Sequence, residues 1–203
     1  MPTDDPGWWK AFRAMPAVLS PQLSRRFLKR QPSLVFYRGM ILGSIFSSFL
    51  FYFVLKAISH GDTAKRTSPL VFVFLGFLVG DIVVLIRSRR RPFWALSRKQ
   101  TVPADITELA VRYRVHFFIS WALTTSITLY GFVAFFLVAK HRLAIYLGAA
   151  LLGSIMMILL APTRSRIDGQ AAQLLRAGSP LSLRDALMIP SGDLPQTNRR
   201  PRK

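Results

Sequence analysis

Residues 70–91 read LVFVFLGFLVGDIVVLIRSRRR. From Leu70 to Ile86 every residue is apolar or glycine except one carboxylate, Asp81, and the run ends in Arg87, Arg89, Arg90 and Arg91. As a helix, a run of this length crosses most of the ~30 Å hydrocarbon layer of a bilayer. A surface helix of a soluble protein would carry a polar face, and this stretch has none. It predicts a membrane span stopped by arginine.

Three further blocks have the same character: Gly39–Leu55, Phe117–Ala139 and Ala144–Ala161. In a chain of 203 residues, 51% hydrophobic, they leave almost no amphipathic helix to cover a soluble core. The expected fold is all-α: an integral membrane protein with four transmembrane helices as two helical hairpins. The expected division is an N-terminal cytoplasmic or interfacial segment (1–33), a first hairpin (34–88), a basic cytoplasmic connection (89–113), a second hairpin (114–163) and a basic tail (164–203).

The formal net charge is +19. Of the 28 lysines and arginines, 23 precede the first span, join the second to the third, or follow the fourth. That is the positive-inside pattern, which puts both termini in the cytoplasm. A bacterial plasma membrane is the expected location. A mitochondrial inner membrane is the alternative, against which stands the lack of an Arg- and Ser-rich presequence. Basic residues at a membrane edge attract anionic lipid headgroups, so Arg87, Arg89, Arg90 and Arg91 are candidate headgroup contacts. Further expected partners are a second copy or another membrane subunit. Nucleic acid is a poor match, because the charge follows the span ends. There is no cysteine, hence no disulfide. No cleavable signal is visible, and the first span is expected to act as an uncleaved anchor.

Residues 6–19, PGWWKAFRAMPAVL, place Trp8, Phe12, Met15 and Leu19 at helical spacing, with Lys10 and Arg13 on the other side. An interfacial helix is expected; a disordered tail is the alternative. Residues 104–139 should form one helix of ~54 Å, longer than a bilayer is thick. Asp105 and Glu108 fall in its first turns, and Glu108 and Arg112 form an i,i+4 pair. After the fourth span a short helix from Asp168 to Ala177 and then a disordered end, SGDLPQTNRRPRK, are expected.

Small residues let membrane helices approach closely. Gly39, Gly43 and Ser47 supply such an edge on the first span, Gly76 and Gly80 on the second, Ala149 and Gly153 on the fourth. The third span carries a polar stripe: Arg112, His116, Ser120, Thr124 and Thr128 at four-residue steps, with Thr125 beside it. Either its hydroxyls bond to their own helix or it forms a polar path or interhelical contact. Asp81 lies ~7.5 Å inside the arginine end of its span. Equal depth on the neighbouring spans points to Ser44, Ser120 and His116 as partners. Hydrocarbon penalises its charge, so the acid is either protonated, or paired with His116, Arg112 or the Arg87 cluster. Three roles stay open for it: an interhelical bond, a protonatable ion-coupling site, or a solvated residue under a thinned membrane.

Residues 112–137, RYRVHFFISWALTTSITLYGFVAFFL, followed by a short turn and an apolar helix ending in APTRSR, resemble the hairpin of the ATP-synthase c subunit. The chain from about Arg38 to Arg166 is similar to uncharacterised bacterial membrane proteins built of two such hairpins in tandem. Those often read W-A-L-x-E; here the motif is Trp121, Ala122, Leu123, Thr124, Thr125, so Thr125 stands in the place of the acid. In c subunits the ion-carrying carboxylate is on the second helix of the hairpin. The resemblance implies that role for Asp81, although Asp81 sits near one end of its span.

No catalytic constellation is visible. His60, His116 and His141 lack metal-ligand spacing. No phosphate-binding loop occurs, nor a serine or threonine in a nucleophile context, and no cofactor is implied. The expected function is therefore a non-enzymatic structural or accessory membrane subunit. The alternative is proton or cation translocation through Asp81.

Overall fold

The computed structural model describes residues 5–19, 32–59, 67–90, 92–96 and 102–189. Arg91, His60 and the expected disordered end at 191–203 lie outside the described residues. Among those described there is no strand, and the α-helices are α1 (Gly7–Leu19), α2 (Ser33–Ile58), α3 (Leu70–Arg90), α4 (Ile106–Leu137), α5 (Arg142–Leu160), α6 (Arg164–Arg176) and α7 (Leu183–Met188). A 3₁₀ turn, Phe93–Leu96, follows α3. Four helices are long and apolar enough to cross a membrane: Ser33–Ile58, Leu70–Arg87, Ile106–Leu137 and Arg142–Leu160.

Short polar side chains set the helix starts. Asp105 accepts a hydrogen bond from the Glu108 amide at 2.6 Å, and Glu108 reaches back to the Ala104 amide at 2.9 Å. This is a reciprocal variant of the capping box, and it opens α4 at Ile106. Thr163 caps α6 by accepting from the Arg166 amide, so the helix begins at Arg164, one turn before the expected Asp168. Ser182 does the same for α7 through the Asp185 amide. That helix has no counterpart in the hydropathy pattern, because six residues cannot display a period.

The chain folds as two compact units. One comprises Met1–Met40, Pro92–Phe117 and Pro162–Lys203; the other Ile41–Arg91 and Phe118–Ala161.

In the first unit, Tyr37 packs on Tyr113 and Phe117, and Phe93 on Tyr113 and Trp94. Leu109, Ile167, Leu174, Leu183 and Leu187 are buried with them. Arg38 is only 1% exposed. Its guanidinium donates to both carboxylate oxygens of Asp5, at 2.5 and 2.9 Å, and twice to the Pro162 carbonyl, at 3.1 and 2.9 Å. Trp8 covers it at 5.0 Å. The segment before α1, the first turns of α2 and Pro162, two residues after α5, are thereby tied at one cation.

In the second unit, α4 is the shared neighbour of the other helices. Against α2, the Trp121 indole donates to the Ser44 hydroxyl at 2.9 Å, and Phe51 packs on Phe132. Against α5 the approach is closest. A Cβ added at Gly131 would collide with the Ala149 Cβ, and one added at Gly153 would lie 2.6 Å from the Thr128 hydroxyl. Leu55, Phe135, Tyr146 and Ala150 form the buried cluster, and the Tyr146 hydroxyl donates to the Ser48 carbonyl at 2.6 Å. The turn between α4 and α5 places His141 in the left-handed region, φ 57°.

Candidate polar site on α3 and α4

One face of α3 is covered. Val71, Phe74, Leu78, Asp81, Ile82 and Leu85 are buried or half-buried, at steps of three and four residues, while the residues between them are mostly exposed. This is the stripe of a helix that packs along a single neighbour. That neighbour is α4. The Ser68 amide donates to the Leu137 carbonyl at 2.8 Å, and the Ala139 amide to the Thr67 hydroxyl at 3.2 Å. Further along, Tyr130 packs between Phe74 and Phe77 with ring centroids at 6.1 and 6.3 Å. At Asp81 two hydroxyls arrive together: that of Ser126, which also lies 2.8 Å from the Leu123 carbonyl of its own helix, meets Oδ2, and Tyr130 donates to the same oxygen at 3.0 Å.

Asp81 therefore meets Ser126 and Tyr130 rather than Ser44, Ser120 or His116. Equal depth was the wrong ruler. Antiparallel counting from the Ser68–Leu137 bond brings Asp81 opposite Thr124, and its carboxylate meets the hydroxyl two residues along, on Ser126. Ser126 lies six residues along α4 from Ser120, the nearer of the two α4 partners that depth selected. Ser44 is bonded to Trp121. The missed signal is S-x-x-x-Y at Ser126 and Tyr130, two hydroxyls on one helix face at i,i+4 spacing.

The members of the polar stripe are all buried: Arg112, His116, Ser120, Thr124 and Thr128. In the first unit, Arg112 pairs with Glu108 at 2.6 Å. His116 lies beside the Phe93 ring, and its Nδ1 has no hydrogen-bond partner among the described residues. In the second unit, the Thr124 hydroxyl shares its one proton between the carbonyls of Ser120 and Trp121, and the Thr125 hydroxyl donates to that of Trp121. These are bonds a hydroxyl makes to its own helix. The Thr128 hydroxyl sits against Gly153, unpartnered among the described residues, as does that of Ser154.

The small residues divide. Gly39 and Gly43 are buried and Ser47 half-buried. Ala149 and Gly153 contact α4, with Gly131 as an additional close-approach site. Gly76 and Gly80 point into open space, with nothing within 4 Å of an added Cβ. Arg87 is exposed, and Arg89 and Arg90 fall in the last turn of α3.

The chain matches no family model, no curated protein and no solved structure. Its chemistry is therefore read from the site alone. Among the described residues no three histidine, aspartate or glutamate side chains come together as a metal site would require. The arrangement on α3 and α4 is one carboxylate receiving two hydroxyl donors inside an apolar helix pair. Both donors meet the same carboxylate oxygen, Oδ2, from the facing helix.

Proposed function

We propose that this protein is a non-enzymatic structural or accessory subunit of a bacterial-type plasma membrane. Its four spans would be arranged as two hairpins, with both termini and the basic connection on the cytoplasmic side. The observation that carries the reading is the pair of hydroxyls on Asp81, which accounts for the acid as a tie between two spans. The bonding of Thr124 and Thr125 to their own helix points the same way, since it withdraws those hydroxyls from any polar path. The close approach of Gly131 and Gly153 to the facing helix supports the second hairpin. The segregation of 23 of 28 basic residues supports the orientation and an anionic lipid surface or acidic partner at the cytoplasmic face.

The test is Asp81→Asn in purified protein and in proteoliposomes. A structural role is expected to show as lowered unfolding stability or loss of assembly, with proton and cation flux equal to that of empty vesicles for both wild type and variant. A wild-type flux abolished in a fully assembled Asp81→Asn protein would replace this reading with ion translocation through Asp81.

A further inference from the structure

Helix α1 has three sides. Ala11 and Ala14, 0% and 3% exposed, face the protein. At ~100° per residue, Trp8, Phe12, Pro16 and Trp9 follow one another around one flank, and Arg13 and Lys10 fill the other. Trp9 and Phe12 stack at 5.7 Å and are 63% and 53% exposed. The Arg13 guanidinium lies 5.2 Å over the Trp9 ring. The side chains with most apolar surface are thus turned away from the protein, and two alanines do the packing. The outward position of Trp8 and Phe12 is the one an interfacial helix requires.

The position of the helix is also fixed. Asp5, immediately ahead of α1, is gripped by Arg38 and by Arg164. Arg38 lies in the second turn of α2, and its other bonds go to Pro162, two residues after α5 ends. Where α2 and α5 cross a bilayer, those ends lie at its surface, and so does the start of α1. An exposed aromatic flank held at that level is where tryptophan is favoured, and adjacent cations there meet phosphate.

We propose that α1 is a lipid-binding helix that lies on an anionic phospholipid surface. Trp9 and Phe12 enter the interface, Trp8 beside them stays over the Arg38 guanidinium, and Lys10 and Arg13 take headgroup phosphates. This rests on the membrane reading given above. It goes beyond that reading in naming a binding element, its inserted flank and its ligand.

The absence of cysteine allows one nitroxide label at a time on the full chain. The variants are Trp9→Cys, Phe12→Cys and, as a reference on α3, Phe72→Cys, whose side chain is 74% exposed. Each is reconstituted in phosphatidylcholine vesicles with and without phosphatidylglycerol, and collisions with oxygen and with a water-soluble nickel chelate are measured. The labels at 9 and 12 are expected to favour oxygen over nickel several-fold, more strongly with phosphatidylglycerol. That increment should vanish in the Lys10→Glu, Arg13→Glu background. A lipid-exposed label at 72 with aqueous labels at 9 and 12 overturns the proposal and leaves the membrane reading standing. An aqueous label at 72 overturns both. Dipolar broadening at 12 that survives dilution in lipid would assign the flank to a second copy, and readings indifferent to phosphatidylglycerol would remove the anionic ligand.

Discussion

Asp81 and Arg38 are each met by a fixed set of partners. Ser126 and Tyr130 both donate to one oxygen of Asp81. Interhelical polar contacts in membrane proteins contribute about 0.6 kcal/mol on average and up to about 1.7 kcal/mol. A double-mutant cycle between Asp81→Asn and Tyr130→Phe, read by unfolding in mild detergent, is expected to give a coupling of about 0.5–1.5 kcal/mol. A coupling of zero would sink the tie. Arg38 sits deeper, and removing the carboxylate in Asp5→Ala is expected to cost about 3–5 kcal/mol, the usual penalty for stranding a buried ion. Hydrogen bonds from the Arg38 side chain hold the Asp5 carboxyl well below the usual carboxylate range, against the opposing effect of burial. The folded state thus binds the Asp5 proton less readily than the unfolded state does. The stabilisation is complete above the ordinary aspartate value of ~3.9 and is lost as pH falls below it toward the lowered folded value. Thermal unfolding of wild type and Asp5→Ala should therefore converge as the pH is taken below ~4. At this scale the sequence exposed Asp81 by contrast with its apolar surroundings, but not its partners, which depend on helix register. It said nothing of Asp5 and Arg38, whose pairing spans 33 residues and leaves no local pattern.

Among the helices, α4 is the element on which the second unit is built, since α2, α3 and α5 each contact it. Its length was legible because residues 104–139 hold no proline or glycine pair and open with Asp105 and Glu108. The small-residue edges were less legible, since glycine spacing marks where close approach is possible and only packing decides where it occurs. Gly153 and the unexpected Gly131 lie in the α4–α5 contact, whereas Gly76 and Gly80 face open space. Alanine substitutions should separate the two classes by sign. Gly131→Ala and Gly153→Ala are expected to destabilise by about 1–3 kcal/mol through overpacking. Gly76→Ala and Gly80→Ala are expected to be neutral or to stabilise by up to about 1 kcal/mol through helix propensity. Unfolding midpoints of the four variants check this, and a destabilising Gly76→Ala would mean that the α3 edge is in contact after all.

At the scale of the whole chain, composition carries the argument. The apolar blocks forced four helices of membrane length, and they are present. The placement of lysine and arginine is the basis of their proposed direction. Of the two short helices after the fourth span, α6 was legible except for its first turn, where the Thr163 hydroxyl sets the start, and the six-residue α7 was not. The claim on which everything else depends is that Lys10 and Arg176 lie on one side of a bilayer and Lys140 on the other. All three are exposed, and the cysteine-free chain permits single substitutions Lys10→Cys, Lys140→Cys and Arg176→Cys. In sealed, right-side-out vesicles treated with a membrane-impermeant maleimide, position 140 should label at once. Positions 10 and 176 should label only after the membrane is opened. Equal labelling of all three in sealed vesicles would contradict the four-span arrangement.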